Sequence, residues 1–195
     1  MSTRSCLAYK TKDGWEGCYC HWDGYPTNRG LQIWKIIMQK FVLNKGKIGV
    51  VNDGSTALRA FVDIYIKGHK SGWSSFPDEC YCHNPEFVMR DGVKDAIETD
   101  KTTDALYIEW VYVIDPENKK LIIFTHGRAK GTHKEGPGKD GSMWDSPNYA
   151  HYLVCEIDIN PDAKEPDWKE IEEKGNKISE TMSEKYEERR QNART

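Results

Sequence analysis

Two apolar runs on either side of a turn most constrain what this chain can become. Ala105 to Ile114 (ALYIEWVYVI) and Leu121 to Thr125 (LIIFT) are rich in β-branched and aromatic residues, and Asp115-Pro116-Glu117-Asn118 stands between them. β-formers around a short Pro/Asn/Asp cluster predict a hairpin. His151 to Ile159 alternates as a further strand, with Tyr152, Val154 and Glu156 on one side and Leu153, Cys155 and Ile157 on the other. Helices precede this sheet. Leu31, Trp34, Ile37, Met38 and Phe41 share one face of a helix from about Asn28 to Leu43, stopped by Asn44-Lys45-Gly46. Ser55 is a candidate N-cap for a second helix carrying Leu58, Phe61, Val62 and Tyr65, closed by Gly68. Gly127 to Asn148, with five glycines, reads as a polar loop. The expectation is an α+β fold: an antiparallel sheet with two N-terminal helices packed on it and an appended C-terminal helix.

The appended helix follows from charge. From Pro161 to Thr195 there are 18 charges in 35 residues, against 41 in the 160 before, so the chain divides into a domain over 1–160 and a charged segment over 161–195. Within that segment Trp168, Ile171, Gly175, Ile178 and Met182 recur at spacings of three and four, one stripe of an amphipathic helix. Docking of this stripe on the domain is the first expectation, and a helix–helix homodimer seam the second. The net charge of −3 offers no basic field for duplex nucleic acid. No apolar run approaches the roughly 18 residues of a membrane helix. The first fifteen residues have no apolar core of a secretory signal, so a cytoplasmic protein is expected.

The tetrapeptide CYCH occurs twice, at 18–21 and 80–83, and holds four of the six cysteines. In extended chain Cys18, Cys20 and Trp22 share one face, with Tyr19, His21 and Asp23 on the other. Buried free thiols are one reading, in keeping with a reducing compartment. A zinc site built from the four thiolates of Cys18, Cys20, Cys80 and Cys82, or from two of these thiolates with the imidazoles of His21 and His83, is another, although single-residue spacing is short for structural zinc loops. A disulfide would join the copies, since a bridge inside Cys-x-Cys is strained. No cofactor is required by any motif, and zinc is the one metal considered.

The first copy continues as YCHWDGYPTNRG, from Tyr19 to Gly30. This string, with HKSGWSSF (69–76), CYCHNPEFVMRDG (80–92) and IEWVYVIDPENKKL (108–121), resembles an uncharacterised family of bacterial and phage-encoded proteins with an N-terminal YCHWDGYP signature. The resemblance spans roughly Cys18 to Phe124. It implies a strand leading through HWDGYP into an amphipathic helix, and a phage or bacterial setting; it supplies no catalytic role.

The residues themselves offer ring faces and charge. Trp22, Tyr25 and Trp73 suit stacking, while Arg29, His21 and His83 suit an anion. The helix start at Asn28-Arg29-Gly30 would add backbone donors and a positive dipole end. Together with Asp23 these make a candidate site for a ring-plus-anion ligand such as a nucleotide, sequestered as a host defence signal. The competing readings are a hydrolase using His21, Asp23 and His83, with or without zinc, or with a Cys20–His83 or Cys82–His21 nucleophile pair, and a protein–protein interaction (inhibitor) module. HWDGYP could equally be a corner kept for its shape.

Overall fold

The computed structural model describes residues 3–20, 23–44, 54–67, 97–99, 108–128 and 149–192. Six strands form one sheet: β1 (Ser5–Thr11), β2 (Gly14–Cys20), β3 (Ile97–Thr99), β4 (Trp110–Asp115), β5 (Lys120–Arg128) and β6 (Tyr149–Asp158), in the order β3-β2-β1-β4-β5-β6. The helices are α1 (Leu31–Asn44), entered through a π-helical turn at Pro26–Gly30; α2 (Gly54–Phe61), continued by a π-helical turn at Val62–Lys67; and α3 (Trp168–Asn192). The α+β class is as expected.

The predicted hairpin is β4–β5. All six residues of β4 are buried, as a central strand requires. Its turn is closed by Asp115, whose carboxylate accepts from the Asn118 amide at 3.0 Å and from Asn118 Nδ2 at 2.8 Å, while Lys119 takes the left-handed φ of 57°. The sheet is antiparallel at four of its five pairings. The exception is β1–β4, which is parallel, Ser5 facing Trp110 and Tyr9 facing Ile114. It corrects the expectation of an antiparallel sheet throughout: two strands a hundred residues apart have no hairpin turn to set their relative direction.

Other elements differ in extent. β1 has no counterpart among the expected strands, and β2 begins at Gly14, since Lys12-Asp13 turns the chain in a two-residue hairpin. Gly127 and Arg128 belong to β5 rather than to a loop, paired with Ala150 and Tyr149. In β6 the register skips Val154: Ile123 faces Cys155 and Phe124 faces Leu153. This bulge turns Val154, Cys155 and Ile157 all toward one cluster and leaves Leu153 about half exposed, which breaks the strict alternation read from the sequence. Ser55 lies inside α2 rather than before it.

The two faces of the sheet pack separately. Leu7, Cys18, Cys20, Trp110, Tyr112, Ile114, Leu121 and Ile123 meet Ile33, Trp34 and Ile37 of α1, Ala57, Leu58 and Phe61 of α2, and Trp168 of α3. The other face gathers Cys6, Ala8, Trp15, Val111, Val113 and Ile122. The sheet coils enough that Trp15 of β2 and His151 of β6 bring their rings to 6.5 Å across three intervening strands.

The C-terminal stripe lies on the first face. Trp168 is buried and Ile171 and Ile178 pack against the core. Two glycines let α3 come close. A Cβ on Gly175 would stand 2.2 Å from the Trp110 ring, and one on Gly30 would stand 2.7 Å from the Trp168 ring. Each tryptophan therefore fills the space that a glycine leaves on the opposing element. The stripe considered for a dimer seam is the one turned to the sheet. No helix among the described residues is long and apolar enough to cross a membrane.

Candidate functional site

The corner between β2 and α1 holds four of the sequence-derived site residues: Asp23, Tyr25, Asn28 and Arg29. His21, Trp22, Trp73, His83, Cys80 and Cys82 lie outside the described residues. Asp23 adopts the left-handed φ of 48°, uncommon for a side-chain-bearing residue and best tolerated by Asp and Asn. Gly24 then pins the corner to the sheet: its amide donates to the Thr3 carbonyl at 2.9 Å, and its carbonyl accepts from the buried Tyr112 hydroxyl at 2.7 Å. Pro26 opens the helix with a fixed φ and no amide to satisfy. The Tyr25 carbonyl accepts from the amides of Asn28 (3.1 Å) and Arg29 (2.8 Å).

A chain of side-chain hydrogen bonds runs along the first turns. Asn28 Nδ2 donates to the Asp23 carbonyl at 3.3 Å, Gln32 Nε2 donates to Asn28 Oδ1 at 3.1 Å, and Arg29 Nη1 donates to Gln32 Oε1 at 3.0 Å. Arg29 is only 3% exposed. The guanidinium expected to face an anion is thus turned inward, beneath the corner. Its charge reaches two buried groups, Cys20 and Tyr112. Burial pushes the Cys20 thiol up, and the Arg29 charge pulls it only partly back; the Tyr112 hydroxyl is raised well above its ordinary value for the same reason, with the same opposing pull.

The helix start does bind an anion, and the chain supplies it. Tyr25, at the cap position, gives no side-chain hydrogen bond, and the first turn has no acidic residue. Instead Glu172 of α3 reaches across: its Oε2 accepts from the Thr27 amide at 3.1 Å and from Thr27 Oγ1 at 2.7 Å. A carboxylate here satisfies an orphan amide and opposes the positive end of the helix dipole. Thr27, Gln32 and Glu172 were not among the residues read from the sequence. The available hint was a helix start with neither a capping side chain nor an acid of its own, which implies a partner from elsewhere.

The first CYCH copy is partly described. Cys18 and Cys20 share a face, as the alternation predicts, and both are buried free thiols in the helix-side core. Cys18 Sγ donates to the Ile66 carbonyl at 3.5 Å and Cys20 Sγ to the Cys18 carbonyl at 3.8 Å. To hold zinc they would have to give up those protons in an apolar setting. Among the described residues no group of three or more His, Cys, Asp and Glu is placed to hold a metal. No protein-family model, curated protein or solved structure matches the chain.

Proposed function

We propose that the protein is a small binding module that holds a ring-plus-anion ligand of the nucleotide class at the Asp23–Gln32 corner. The observation that carries this reading is the Glu172 carboxylate on the amide and hydroxyl of Thr27. The donor pair at this helix start already accommodates an anion, and a phosphate would meet the same two groups. Half-buried Tyr25 and exposed Asp23 stand beside it, and Arg29 sets positive charge below. A ligand entering this seat takes the place of Glu172, so α3 acts as its internal competitor.

Covalent catalysis through Cys20 is disfavoured, because a buried thiol with a raised pKa is a poor nucleophile. Of the hydrolase set, His21, Asp23 and His83, only Asp23 is described. An inhibitor or a homodimer working through α3 would have to use its outward face, where Glu170, Glu173, Lys174, Lys177, Glu180 and Glu184 are exposed. The resemblance to phage-encoded proteins supports a host defence nucleotide as the first ligand to try.

Thermal shift against linear and cyclic nucleotides tests the reading on the wild-type chain and on Glu172→Gln. A ligand at 100 times its Kd stabilises by about 2.7 kcal/mol, which at this chain length raises Tm by several degrees. The expected result is a shift in both proteins, larger in Glu172→Gln because the neutral amide that replaces the carboxylate competes less well with an anion. A flat response from both at millimolar ligand overturns it.

A further inference from the structure

We draw no further inference here: the strongest candidate, the cross-strand pair of His126 on β5 and His151 on β6, already has one ring stacked on Tyr149 and the other bonded to the Ile108 carbonyl, and among the described residues no group of three or more metal-ligating side chains includes it.

Discussion

The molecule starts two of its helices in opposite ways. At α3 the cap is local: Asp167 Oδ1 accepts from the amides of Lys169 and Glu170, both at 3.0 Å, two and three residues on. At the Pro26 turn the cap is Glu172, 145 residues away from Thr27. A local cap forms with its own helix and depends on nothing else. A distant one exists only after α3 has docked, so it couples the corner to the packing of Trp168 on Gly30 and of Trp110 on Gly175. The difference shows which part of the fold can stand alone and which is conditional on tertiary structure.

The largest effect expected on this contrast comes from Trp168→Ala. Emptying a buried tryptophan site costs about 3–5 kcal/mol, read by chemical denaturation. Hydrogen exchange should then show the Thr27 amide unprotected while those of Lys169 and Glu170 keep their protection. If all three amides are lost together, the start of α3 is not autonomous and the contrast fails.

Gly175→Ala comes next. In a free helix alanine would add about 1 kcal/mol of stability. Here its Cβ meets the Trp110 ring at 2.2 Å, and overpacking of about 1–3 kcal/mol outweighs propensity, for a net loss of up to about 2 kcal/mol. A gain in Tm would show that α3 is not held against Trp110.

Asp167→Ala should cost about 1 kcal/mol, the usual worth of a cap. Its exchange signature is confined to Lys169 and Glu170. Glu172→Gln should be the mildest: the amide oxygen still accepts from Thr27, but the charge opposing the helix dipole is lost, at about 0.3–1 kcal/mol. Faster exchange at Thr27, with Lys169 and Glu170 unmoved, is the expected pattern, and changes at all three would merge the two kinds of cap into one.

Much of the fold could be read from the chain because its signals are local. The β4–β5 hairpin follows from β-formers around Asp115-Pro116, and the stripe Trp168, Ile171, Gly175, Ile178, Met182 follows from spacing alone, down to the glycine that receives Trp110. What could not be read depends on contacts distant in sequence. β1 meets β2 through a local turn, but its place inside the sheet comes from β4, with which it pairs in parallel. The bulge at Val154 is a property of the β5–β6 register and not of β6 by itself. At the site, Asp23, Tyr25, Asn28 and Arg29 were legible as one turn of chain, whereas the inward aim of Arg29 follows from Gln32 and from burial under the corner. Glu172 on Thr27 could not be found, because one acid among many on α3 becomes distinctive only when the helix lies on the sheet.

The parallel pairing of β1 with β4 also bears on how the protein is made. Ser5 meets Trp110 only after more than a hundred further residues have been joined, a wait of about 5–20 s on the ribosome. Until Ile97–Thr99 is made β1 and β2 form at most a two-stranded ribbon, marginal in water, and the β1 edge that β4 later takes has no neighbour. The nascent chain therefore carries an open strand edge at Ser5–Thr11 until β4 has been made.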